Sequence, residues 1–222
     1  MVETKIYHLP PTALMPNSPL PLIHYTGVLK ESERTSGHAF DLFWDNGWRV
    51  QWLVRYPHTQ RAHYHGASHE CMAVLTGTAT IRFGVADTAE DLEENTHGSA
   101  YEEGGIELQA NAGDVFIIPA GVSHKTYNTL PAAEFERLSG GDGHDVDIET
   151  ARELYHSIKL SGFTMLGAYP KGCQWDFLEG GEHEGNYEKV WSVPKPDTDP
   201  VFGTGKRGIM NLWGKTEIVP RL

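Results

Sequence analysis

Residues 63–70, His63-Tyr64-His65-Gly66-Ala67-Ser68-His69-Glu70, bring three imidazoles and a carboxylate into eight positions. His63 and His65 are two apart, and on an extended strand such a pair points to one face, about 6.6 Å apart along the backbone. Two imidazoles so placed can converge on one metal ion. Glu70, after a turn through Gly66, can add a hard oxygen to the two nitrogens. His69 neighbours Glu70, so strand alternation turns it away and gives it a supporting or surface position rather than a ligating one. An isolated His-x-His on a surface strand is usually two solvated side chains, so the metal reading depends on what the rest of the chain supplies.

The elements that must hold this stretch read as short strands. They are expected at 24–30, 50–56, 60–65, 70–75, 78–83, 106–109, 115–118, 123–128 and 162–169, separated by Gly, Pro, Asn and Asp turns. In 70–75, alternation puts Glu70, Met72 and Val74 on one face and Cys71, Ala73 and Leu75 on the other. In 78–83, Ala79, Ile81 and Phe83 alternate with Thr78, Thr80 and Arg82, which predicts one buried and one wet face and puts Arg82 in solvent. Phe40, Phe43, Trp44, Trp48, Trp52 and Tyr56 cluster ahead of the histidines, and core packing is their expected use. Asn46-Gly47 reads as a hairpin turn. His58 lies outside the register of the 60–65 strand and is not assigned to the site.

The remaining segments read as excursions. Residues 1–22, with five prolines, form an irregular arm, and 31–37 a polar loop or short helix. Seven acidic residues between 85 and 105 mark a solvated insertion, with a lid over a pocket as the second reading. Residues 139–145 read as flexible, Asp147 or Thr150 caps a helix at 151–158, and 209–213 forms a final edge strand. Strands at spacings of about 8–12 residues are the sign of an antiparallel sandwich or barrel.

Composition bounds the function. The net charge of −12 disfavours phosphate backbones and anionic membrane surfaces as partners. Two cysteines, Cys71 and Cys173, are too few for a disulfide framework and read as free thiols. Residues 1–20 hold no apolar signal segment, and no run of about 18 apolar residues occurs, so a cytoplasmic protein is expected.

Two patterns emerge once the turn residues are included: His63-x-His65-x4-Glu70-x6-Gly77 and Gly113-x5-Pro119-x-Gly121-x2-His124-x3-Asn128. Together they resemble the two motifs of the cupin superfamily. The one departure is Pro57, where those proteins often carry a glycine, and it affects a turn rather than a ligand. Leu20-Pro21-Leu22, Asn46-Gly47-Trp48, Tyr56-Pro57, Gly167-Ala168-Tyr169-Pro170, Asp197-Thr198-Asp199-Pro200-Val201 and Asn211-Leu212-Trp213 extend the resemblance to the YjlB-type single-domain cupins, over nearly the whole chain.

The resemblance implies an all-β, RmlC-like double-stranded β-helix, or jelly-roll barrel, with N- and C-terminal arms and one or two short helices. It implies a single domain over 1–222, with a barrel core at about 40–170, an arm at 1–24 and an extension at 171–222. It also implies a 3-His/1-Glu site in the barrel, formed by His63, His65, Glu70 and His124, with Asn128 as a structural hydrogen-bonder and a homodimer as the assembly. One divalent transition metal ion per chain is expected, iron first; manganese, nickel, zinc, cobalt and copper suit the same ligands.

Such a site predicts an enzyme acting on a small organic substrate, with Glu70 also able to accept a proton. Oxidoreductase chemistry of the dioxygenase kind is favoured over isomerisation, cyclisation or decarboxylation. The competing readings are a non-catalytic small-molecule or metal-binding cupin, and a barrel in which the ion only staples the fold.

Overall fold

A computed structural model describes residues 3–139 and 147–214. Strands β1 (Glu3–Tyr7) and β2 (Leu22–Thr26) pair with each other at the start of the chain. Helix α1 (Ser36–Asp45) leads into β3 (Trp48–Arg55), and β4 (Glu70–Thr76) and β5 (Thr78–Phe83) follow the histidines. Helix α2 (Leu92–His97) precedes β6 (Ile106–Asn111), β7 (Val115–Ile118), β8 (His124–Leu130) and the two-residue β9 (Glu136–Arg137). Helix α3 (Ile148–Ser157), strand β10 (Thr164–Pro170) and helices α4 (Tyr187–Trp191) and α5 (Ile209–Leu212) complete the order.

The strands form a seven-stranded sheet, β1-β2-β7-β4-β10-β3-β9, and a three-stranded sheet, β6-β5-β8. All pairings are antiparallel. The alternation expected of β4 decides how the two cores divide. Met72 and Val74 face the second sheet and pack with Ala79, Ile81, Phe83, Phe116 and Met165. Cys71, Ala73 and Leu75 face the other way, against Phe40 and Phe43 of α1, Tyr155 of α3 and Trp213. The large sheet is therefore buried on both faces, one of them forming the interior of a jelly roll.

Several elements differ from the sequence reading. Asn46-Gly47 closes a helix, not a hairpin. Thr35 caps α1 by accepting the His38 N–H, the Asn46 N–H returns to the Leu42 carbonyl, and Gly47 takes φ +80°. A left-handed glycine suits a helix end as well as a hairpin turn, and the apolar spacing of Ala39, Phe40 and Phe43 decides for the helix. The N-terminal arm contributes β1, an edge strand whose residues are largely exposed. The 209–213 segment is helical because it folds back on Asp199 instead of reaching a sheet edge. Five short α-helices accompany the sheets among the described residues. The flexible stretch expected at 139–145 lies, beyond Ser139, outside the described residues. Ser139 itself is buried, its hydroxyl accepting the Leu53 N–H at 3.0 Å.

Arg82 corrects the wet face expected of β5. It points away from the interior, as alternation requires, but is buried beneath the acidic segment. Its guanidinium donates to the carbonyls of Asn95 and Thr96 at 2.8 and 3.0 Å and lies over the Tyr101 ring. The segment is thus partly a packed layer rather than a solvated loop, with Asn95 and Thr96 both buried. Periodicity identifies the polar face of a strand but carries no information about a distant segment that covers it.

Asp114 holds the turn before β7. Its carboxylate accepts from Gly27 N–H at 2.7 Å and Asn111 N–H at 3.0 Å, and lies 3.1 Å from His24 Nε2. Burial opposes its ionisation, but the hydrogen bonds from His24, Gly27 and Asn111 outweigh this and lower its pKa. An Asp with a depressed folded pKa contributes stability that is complete above its unfolded value and lost as the pH falls through the folded one. Asp114→Ala is expected to cost about 3–5 kcal/mol by urea denaturation at neutral pH. The difference from the parent should shrink on acidification below about pH 4.

Candidate metal centre

Residues 59–65 are extended but do not form the strand expected at 60–65. They are held by single bridges: Thr59 to Tyr127, His63 to His124 and Tyr64 to Leu178. The segment passes from β8 to the C-terminal extension, flanked by Pro57 and Gly66, so neither neighbour offers it a continuous ladder. The bridge geometry still preserves the i, i+2 relation. Tyr64 turns outward to His183, with 2.8 Å between its hydroxyl and Nδ1, while His63 and His65 turn inward beside His124.

One donor atom from each of His63, His65 and His124 lies within 4.8 Å of the others, and all three side chains are buried. The His63 and His124 rings are 4.3 Å apart at their centres. His65 Nδ1 is hydrogen-bonded to the Asp176 carbonyl, which directs Nε2 inward. Glu70, at the start of β4, puts Oε1 3.4 Å from His65 Nε2 and Oε2 3.3 Å from His124 Nε2. Oε1 accepts from the Tyr169 hydroxyl and, at 3.3 Å, from Trp52 Nε1, while Oε2 is buried without a hydrogen-bond partner. Three clustered imidazoles beside a carboxylate oxygen with spare acceptor capacity fit one divalent transition ion.

The electrostatics agree with that use. Burial, then the neighbouring His124 and His65, keep His63 well below the ordinary imidazole pKa. Burial also dominates at His124, bringing it down to about 4 against the attraction of Glu70. Both rings therefore sit neutral, with a lone pair to donate. At His65 burial is outweighed by Glu70 and Asp176, which raise it. Burial of Glu70 is outweighed by His65 and His124 and by hydrogen bonds from His65 and Tyr169, and its pKa falls to about 2.

These groups lie at the floor of a cavity of about 200 Å³. Trp52, Tyr56, Tyr169, Trp175 and Phe177 supply aromatic walls, and Gln60 and Arg137 are its polar residues away from the histidines and Glu70. The Phe177 ring stacks on His63 at 4.1 Å and 14°. The aromatic cluster read as core divides: Phe40, Phe43 and Trp48 are core, whereas Trp52 and Tyr56 also face the cavity. No residue of the acidic segment lines it. Segments 135–137 and 175–177 form its outer wall instead.

His69 lies outside the cluster, as alternation requires. It is buried, its Nδ1 accepts the Ala120 N–H at 2.9 Å, and its ring packs on Trp213. Asn128 acts through its backbone, at φ +53°, donating its N–H to the His58 carbonyl, and its side chain is exposed. Sequence reasoning missed Tyr169, Asp176, Trp175 and Phe177. The only signal for the last two was a pair of large aromatics in an otherwise polar loop.

A cupin family model matches residues 50–158, which include all four candidate ligands. The chain is a cupin. Over 218 residues it is 28% identical to the uncharacterized protein YjlB of Bacillus subtilis (strain 168), spanning 96% of this chain and 98% of that one, and it is a cupin of the YjlB type. Among solved structures it is similar to hydroquinone 1,2-dioxygenase PnpCD in complex with Cd2+ and 4-hydroxybenzonitrile. That match has 14% identity and a TM-score of 0.31, over 57% of this chain and 59% of that one. It is also similar to RmlC from Streptococcus suis in complex with dTDP-D-xylose, at 12% identity and a TM-score of 0.32, over 76% and 74% of the two chains. No helix among the described residues is long and apolar enough to cross a membrane.

Proposed function

We propose that this chain is a metal-dependent enzyme that acts on a small organic molecule at a mononuclear site held by His63, His65, His124 and Glu70. The ion is a divalent transition metal, iron in first place, and the reaction is oxidative. The observation that carries this reading is the opening of three buried imidazoles onto an aromatic cavity. An ion serving only as a staple would be enclosed by protein ligands on all sides. When bound, the ion would supply Lewis-acid or redox chemistry to an oxygen donor such as an enol, a phenol or a β-dicarbonyl.

The protein's own groups do the rest. Trp52, Tyr56 and Phe177 exclude water and offer flat apolar walls. The Asp176 carbonyl fixes the orientation of His65. Tyr169 and Trp52 hold Glu70 Oε1, leaving Oε2 as the atom free to ligate or to take a proton. Tyr169→Phe is expected to retain the fold while lowering metal affinity or turnover about 10–100-fold, read by metal titration and by rate.

The test of function is oxygen consumption by iron-loaded protein presented with enols, phenols and β-dicarbonyls, with His63→Ala as control. Turnover that depends on His63 supports the reading. Tight ligand binding with no turnover under air or nitrogen would replace it with a non-catalytic binding protein.

A further inference from the structure

A second group of metal-ligating side chains converges outside the cavity. His58, Glu93 and His97 each present one donor atom, and these atoms all lie within 4.8 Å of one another. Glu93 and His97 are four residues apart on α2 and therefore share a face. His58 comes from the segment that follows β3, and none of the three lines the cavity.

All three side chains are exposed, and most exposed clusters of this kind are merely solvated. Two observations set this one apart. The first is the backbone beneath it. The His58 carbonyl accepts the Asn128 N–H at 3.0 Å, and the Thr59 and Thr96 hydroxyls meet at 2.9 Å across the two segments. The buried Arg82 guanidinium grips the carbonyls of Asn95 and Thr96, and the Asp91 side chain caps α2. The three positions are thus held relative to one another by contacts that do not involve their own side chains.

The second is the lack of competition. Among the described residues, no hydrogen bond or ion pair occupies the side chains of His58, Glu93 or His97. Elsewhere on the surface, His156 and Arg152 are both engaged by Asp41. The His58 and His97 ring centres are 5.7 Å apart, and His97 is braced edge-on against Tyr127.

We propose that His58, Glu93 and His97 form a second metal site, separate from the central one, for a divalent late first-row ion such as Zn2+. Two imidazole nitrogens and one carboxylate oxygen are a borderline donor set that favours such ions over Mg2+ or Ca2+, and exposure leaves the remaining positions to water. The ion would clamp α2, and the acidic segment that carries it, to the chain leaving β3.

The test is Zn2+ titration of chelator-treated, tag-free protein by calorimetry, with thermal unfolding read in parallel. The parent should bind one more equivalent in the micromolar range than His97→Ala or His58→Ala. In a His124→Ala background, which keeps the surface site, Zn2+ should still raise Tm, and Mg2+ should not. Because the three residues are exposed, their replacement leaves the core intact. Equal stoichiometry in the parent and His97→Ala would overturn the proposal. Loss of an equivalent in His97→Ala with none lost in His124→Ala would uphold it while removing the central site.

Discussion

His124→Ala is expected to empty the proposed central site of metal. The expected result is read by elemental analysis of protein purified without a nickel column, in a His97→Ala background so that the surface cluster adds nothing. The parent should carry about one ion per chain, as a three-histidine, one-carboxylate set implies. The variant should lose more affinity than the about 10–100-fold that removal of an outer partner costs, because His124 is one of three imidazoles within reach of the ion. His63→Ala should behave alike. His69→Ala should keep its metal, because its Nδ1 is committed to the Ala120 N–H and its ring packs on Trp213. A full complement of metal in His124→Ala would sink the proposed site.

The second large effect concerns stability and lies far from the histidines in sequence. Asp199 is fully buried, and its carboxylate accepts four hydrogen bonds. They come from the Tyr25 hydroxyl at 2.6 Å, Val201 N–H at 2.8 Å, Phe202 N–H at 2.9 Å and Ile209 N–H at 3.0 Å. This one side chain shapes the turn at 199–203, starts α5 and fastens both to β2. Asp199→Ala strands four donors, two buried and two half-buried, each costing up to about 1–3 kcal/mol when left unpaired. Partial relaxation and water entry reduce that sum, so a loss of about 3–5 kcal/mol is expected in urea denaturation. Tyr25→Phe removes a single bond to a charged acceptor and should cost about 1.5–3 kcal/mol. Equal losses in the two variants would show that the backbone donors find other partners and that Asp199 is not the organising group.

The sequence alone determined the pattern of short antiparallel strands, and its two motifs carried the resemblance that implied the barrel and the four candidate ligands. A strand's period of two fixes which of Glu70, Cys71, Met72 and Ala73 face together, and the glycine and proline turns fix where each hairpin reverses. The residues that complete the cavity were not legible, because they act across long stretches of chain. Tyr169 reaches Glu70 from ninety-nine positions away, and Asp176 reaches His65 from one hundred and eleven. The same holds for Arg82, whose polar face is covered by a segment that its own strand pattern cannot foresee. Only the tertiary structure decided that the C-terminal extension walls the site and that the acidic segment does not. Alternation had already turned His69 away from Glu70, and the tertiary structure decided that it turns into the packing behind the site rather than to the surface. The physical reason is that alternation assigns faces within an element, whereas burial, hydrogen-bond partners and electrostatic neighbours are set by whatever other elements arrive on each face.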